Sequence, residues 1–202
     1  MILIKHNYYK TYFIKSEKII TLPIDLNISE VAFVGYSNAG KSSAINTLTN
    51  QKKLARISKT PGRTQLINFF AVSQKSYLVD LPGYGYARVP KSLTHEWQTV
   101  IFQYLITRYC LKGIVLFMDI RHLIKKLDYD VIQIANKNKL PLLILLTKSD
   151  KLTWRLQQKQ LKYVHQQLSH MTLELLRIGV FSSLKKTGIQ LLYKTLNYWY
   201  SL

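Results

Sequence analysis

Residues 31–43 constrain the fold of this chain more than any other stretch. Val31-Ala32-Phe33-Val34 is a short apolar run of the kind that forms a buried strand. Gly35-Tyr36-Ser37-Asn38-Ala39-Gly40-Lys41-Ser42 then matches G-x-x-x-x-G-K-S, and Ser43 to Leu48 reads as the first turns of a helix. Strand, glycine loop and helix in that order build a phosphate-binding loop. Gly35 and Gly40 let the backbone turn tightly and approach an anion. The N–H groups of the loop and of the helix start, from Tyr36, Ser37, Asn38 and Ala39 through Ser43, point at phosphates. Lys41 brings a point charge to the β- and γ-phosphates, and the Ser42 hydroxyl suits a Mg²⁺ ion.

Further along, strands alternate with helices, which predicts an α/β fold. Strands are expected at 31–35, 65–72, 76–80, 113–118, 141–147 and 172–180. Helices are expected at 41–50, 93–110, 127–138, 155–169 and 188–200. Residues 65–80 form a hairpin turned at Ser73-Gln74-Lys75. The expectation is a three-layer arrangement: a mostly parallel six-stranded sheet with one antiparallel strand and helices on both faces. Residues 1–28 read as an extension packed on the edge of a single domain at 29–202. Cys110, the lone cysteine, excludes an intramolecular disulfide and is expected to pack on a helix.

The loops that end these strands carry the remaining chemistry. Asp80-Leu81-Pro82-Gly83 is a D-x-x-G element at a strand end. Its carboxylate can reach Mg²⁺ through a water, and the Gly83 N–H can sense a γ-phosphate. Thr147-Lys148-Ser149-Asp150 reads guanine, because a carboxylate accepts from both the N1–H and the exocyclic amine, a pair that adenine does not offer. Phe181-Ser182-Ser183 fits a loop whose N–H groups contact the base oxygen. Residues 59–65 lie where a first switch loop belongs, and Thr64 is its expected metal ligand. The nucleotide is therefore expected to be GTP or GDP with Mg²⁺, held by these loops and by Gly62, Arg63, Thr64, Gln65 and Leu66.

Together, residues 35–43, 59–65, 80–86, Met118-Asp119-Ile120-Arg121-His122 and 147–150 resemble the bacterial EngB family, also called YihA or YsxC. The likeness runs over roughly residues 9–200. The resemblance implies a GTPase of the TrmE–Era–EngA group that acts in large ribosomal subunit assembly, with a role in cell division and septation. It implies a Ras-like G domain and a cytoplasmic monomer. The catalytic set it implies is Lys41, Thr64, Gly83 and Asn38, with Asn38 placed to help hold a K⁺ ion. The metal set is Ser42, Thr64 and Asp80. Tyr84 stands where many GTPases carry a water-orienting glutamine, so intrinsic hydrolysis is expected to be slow. That same residue suits the competing reading, a nucleotide-gated module for a cell-division protein. Tyr84 and Tyr86 either stack on bases or pack beneath the switch.

Charge bears on the partner. The net charge is +19, with a pI near 10.0. Val31 through Val79 holds no acid but carries Lys41, Lys52, Lys53, Arg56, Lys59, Arg63 and Lys75. After Asp150 the one acid is Glu174. Structured RNA is the expected partner, with a solvated basic surface as the bland alternative, since charge alone specifies no partner. No apolar stretch reaches membrane-spanning length, and residues 1–10 lack the pattern of a secretory signal.

Overall fold

In the computed structural model, residues 5–18, 27–55, 66–85, 91–171 and 175–202 are described, the side chains of 91–95 excepted. The strands are β1 (Tyr12–Glu17), β2 (Ser29–Gly35), β3 (Ile67–Ala71), β4 (Ser76–Asp80), β5 (Leu111–Asp119), β6 (Leu142–Thr147) and β7 (Leu176–Val180). The helices are α1 (Lys41–Thr49), α2 (Lys91–Thr107), α3 (Lys126–Lys137), α4 (Trp154–Leu168) and α5 (Ile189–Tyr200). All seven strands form one sheet in the order β1-β3-β4-β2-β5-β6-β7. Only β3 runs against the rest, pairing antiparallel with both β1 and β4.

Alternation along the strands sorts the core into two layers. From β2, Ala32 and Val34 face one side with Ile101, Tyr104, Val131, Ile132 and Val164, so α2, α3 and α4 cover that face. Val31 and Phe33 face the other, where α1 and α5 supply Ile45, Leu48, Leu192, Leu196 and Trp199. This is the expected α/β sandwich, with one strand more than the six read from the sequence. The added strand, β1, has five exposed residues and one half-buried, so it shows no apolar alternation. It joins the sheet through backbone pairing to β3, with a register shift between Phe13 and Lys15.

The N-terminal segment also reaches the last helix. Tyr8, in a single 3-10 turn, is buried; its hydroxyl donates to Asn197 Oδ1 at 2.9 Å and its ring packs against Tyr193. At the opposite end of the sheet from the glycine loop, Arg108 grips the buried Glu30 with two hydrogen bonds, of 2.7 and 2.6 Å. The Tyr104 hydroxyl donates to the same carboxylate. Cys110 lies in the turn between α2 and β5 and not on a helix; it is buried, and burial pushes its thiol up to about 12. Among the described residues no helix is long and apolar enough to cross a membrane.

Candidate guanine-nucleotide site

Parallel pairing places the carboxyl ends of β2, β4, β5 and β6 side by side, and the motif loops leave from there. Gly35 ends β2 so close to β5 that a Cβ would sit 2.4 Å from the Phe117 carbonyl oxygen. The loop then turns through Asn38, which is exposed with φ 62°, to Gly40, with φ 101°. Gly40 caps α1 without a side-chain hydrogen bond, and the first helical bond is Ala44 N–H to Gly40 O. The N–H groups of Lys41, Ser42 and Ser43 therefore face the loop's concave side without helical partners, which suits phosphate oxygens.

Lys41 is 8 % exposed and donates to Gly35 O at 3.4 Å. Burial lowers its affinity for a proton, and the charge of Asp80 opposes that. Asp80 is equally buried, and burial lifts its carboxyl to about 6 against the pull of Lys41. Its Oδ1 has no hydrogen-bond partner. An orphaned buried carboxylate oxygen at a phosphate loop fits the hard, oxygen-seeking Mg²⁺ ion, with the Ser42 hydroxyl as the other described candidate ligand. The predicted third ligand, Thr64, lies outside the described residues, as do Gly62, Arg63, Gln65 and Tyr86; Leu66 is half-buried just before β3.

The segment after Asp80 folds back onto the phosphate loop. Leu81 and Pro82 are buried. Gly83 packs so tightly that a Cβ would lie 3.0 Å from Ser37 Cα and 3.2 Å from Lys41 Nζ. Ser37 N–H donates to Tyr84 O at 2.7 Å. Tyr84 points inward: it is 2 % exposed, meets the Tyr36 ring edge-on at 4.7 Å, and donates to Asp128 Oδ1 at 2.9 Å. It packs beneath the loop, and its hydroxyl is held by α3. Lys125 caps the other side of this cluster, with Nζ 4.6 Å above the Tyr36 ring. Tyr36, Asp128 and Lys125 form a junction that no spacing rule flagged; a D-x-x-G followed by Tyr and a second Tyr inside the phosphate loop were the available signals.

The loops expected to read the base are tied to the phosphate loop by Thr147. Its hydroxyl donates to Ala39 O at 2.6 Å and lies 3.1 Å from Met118 O. Lys148, with φ 57°, sends Nζ to Asp119 Oδ2 at 3.0 Å. Arg121 chelates the same carboxylate at 2.9 and 2.7 Å. Burial would raise Asp119, but the bonds from Arg121 and Lys148 outweigh it and hold the carboxyl below its usual range. Ser149 N–H donates to Phe181 O, and the fully buried Ser182 donates to Asp150 Oδ1 at 2.6 Å. Ser183, next in that loop, is half-buried. A cavity of about 150 Å³ lies between Tyr36, Asn38, Asp119 and Lys148.

A family model described as "50S ribosome-binding GTPase" matches residues 30–148. The chain is 54 % identical to the probable GTP-binding protein EngB of Buchnera aphidicola subsp. Schizaphis graminum, over 96 % of each chain. It is 51 % identical to the protein of that name in Pasteurella multocida, over 98 % of this chain and 96 % of the other. Its fold superposes on a crystal structure of a probable GTP-binding protein engB with a TM-score of 0.70 and 21 % identity, covering 86 % of this chain and 99 % of that one. A relative this similar over nearly its whole length, with the loops assembled as above, shows that this chain belongs to the EngB family of GTP-binding proteins and is a GTPase.

Proposed function

We propose that this GTPase is a Mg²⁺-dependent switch with slow intrinsic hydrolysis that docks on the large ribosomal subunit during its assembly. The observation that carries the slow rate is Tyr84, whose hydroxyl is engaged by Asp128 inside the protein. No described side chain following Gly83 orients an attacking water, so acceleration comes from a partner or a monovalent cation. Asn38, exposed on the phosphate loop, is the group for K⁺. Ser42, Asp80 and Thr64 hold Mg²⁺, which neutralises phosphate charge when bound. Lys41 and the loop N–H groups position the phosphates, Gly83 follows the γ-phosphate, and Thr147 through Asp150 with Phe181 to Ser183 select guanine.

The ribosomal partner is supported by the net charge of +19 and by the match to a family of 50S ribosome-binding GTPases. The same protein is needed for normal cell division and septation, and it works as a monomer in the cytoplasm. Co-sedimentation with purified large subunits tests this reading, with a non-hydrolysable GTP analogue, with GDP and without nucleotide at fixed salt. Binding much tighter with the analogue than with GDP or without nucleotide is the expected outcome. Equal or absent binding in all three states overturns it. A nucleotide-gated module for a cell-division protein is the second reading, favoured by the inward Tyr84.

A further inference from the structure

Helix α4 carries a surface that nucleotide chemistry does not use. Its inward side is spent on the sheet through Val164 and Leu168. Outward, Arg155, Lys159, Lys162 and Tyr163 recur at i, i+4, i+7 and i+8, so they share one face. All four are exposed, and α4 contains no acidic residue. Adjacent cations on one helix face repel by a few tenths of a kcal/mol per pair, roughly 0.2–0.5. An ordinary solvated helix relieves this with interleaved Glu, and here there is none. Among the described residues, Arg155, Lys159 and Lys162 make no ion pair.

Aromatic exposure sets this face apart from a merely basic one. Trp154 is 74 % exposed at the first turn, and Tyr163 is 44 % exposed on the stripe itself. Cations beside open aromatic faces match a polyanion whose bases are free to stack. A membrane surface suits the helix poorly, because the side with Val164 and Leu168 is spent on the sheet and the exposed Trp154, Leu156 and Tyr163 form no continuous apolar face opposite the cations.

The surface is rigidly attached. Gln157 Nε2 donates to Ser149 O at 2.9 Å and to Leu152 O at 3.0 Å, which fixes the start of α4 to the loop that carries Asp150. It is also remote from the nucleotide-sensing segment. That segment follows β4, and β2 and β5 stand between β4 and β6 in the sheet. Three strand spacings amount to ~14 Å.

We propose that the outward face of α4 is an RNA-docking surface, in which Arg155, Lys159 and Lys162 contact phosphates while Trp154 and Tyr163 stack on unpaired bases. This rests on the RNA partner proposed above and adds a contact independent of the bound nucleotide. The full-length protein is titrated against a labelled RNA hairpin, with a stem of about 16 base pairs and an unpaired loop. Binding is followed by anisotropy between about 50 and 200 mM KCl, with GDP and with the GTP analogue.

The R155Q/K159Q/K162Q variant should bind at least ~10-fold more weakly, and its log-affinity against log-salt slope should shrink by about 2–3. The loss should be equal in both nucleotide states. Trp154→Ala should weaken binding by roughly 5-fold or more through lost stacking. Wild-type protein that ignores the hairpin, variants that match it, or a loss seen only with anionic phosphatidylglycerol vesicles would each overturn the proposal. Failure of the ribosomal reading looks different. Large subunits then fail to discriminate the analogue from GDP, while hairpin binding still depends on Arg155, Lys159 and Lys162.

Discussion

Asp150 shows how one side chain is readied before any nucleotide arrives. One of its oxygens already accepts from the buried Ser182 hydroxyl, which fixes the carboxylate plane and leaves its other edge for a base. Changing Asp150 to Asn swaps one acceptor for a donor. Guanine then faces a donor with a donor, at a cost of about 1.5–3 kcal/mol for each charged hydrogen bond lost. Titration with fluorescent nucleotides should show GDP affinity down by ~100-fold or more, with affinity for xanthine nucleotides gained because their oxygen accepts from the amide. Ser182→Ala should act more mildly, by roughly 1–2 kcal/mol in GDP affinity, and leave base preference intact. These residues were legible in the sequence because the chemistry fixes their types and the loops fix their order. The pair Lys148–Asp119 was not, since a lysine named for the base gave no hint that its ammonium also binds a strand-end carboxylate.

Where an element meets a motif, the N-terminus of α3 is the instructive case. Asp128 caps the helix start by accepting from the Lys125 N–H at 3.1 Å and takes the Tyr84 hydroxyl on its other oxygen. Tyr84→Phe strips a buried carboxylate of its donor and should cost about 1.5–3 kcal/mol in urea unfolding. Turnover should change by less than ~3-fold, because the hydroxyl faces away from the phosphates; a larger loss would assign it a role with water. Burial lifts Asp128 to about 6, above its unfolded value. The folded state therefore binds the extra proton, and stability falls as pH rises from about 4 to 7. Asp128→Asn, which can keep the cap with its oxygen and offer its amide to Tyr84, should remove up to ~3 kcal/mol of that fall. Melting curves of the two proteins should separate above about pH 7 and converge near pH 4.

The same scale explains what sequence reading missed. Elements packed on both faces announced themselves through apolar runs, as in Leu142 to Leu146, all fully buried. Strand β1 did not, because Tyr12, Phe13 and Ile14 remain exposed and its partner is a backbone edge, not a core. The turn that holds Cys110 was read as helix because Tyr109 and Cys110 prolong the apolar pattern of α2 past its last turn.

Across the whole molecule, the Glu30–Arg108–Tyr104 cluster pins α2 to the start of β2, far from the loops that hold nucleotide. Glu30→Gln leaves a buried guanidinium without its counter-charge and should cost ~3–5 kcal/mol in urea unfolding. GDP affinity of the protein that remains folded should be unchanged, because Glu30 lies at the other end of β2 from the glycine loop. A drop in affinity instead would show that α2 transmits strain along the sheet. The docking of Tyr8 has a consequence of another kind. Its slot is built by Tyr193 and Asn197, on the last helix of the chain. A chain made from its amino end carries this tyrosine in water until α5 has been synthesised. The turn at Tyr8 therefore settles only after α5 exists, and its burial reports that the two segments have met.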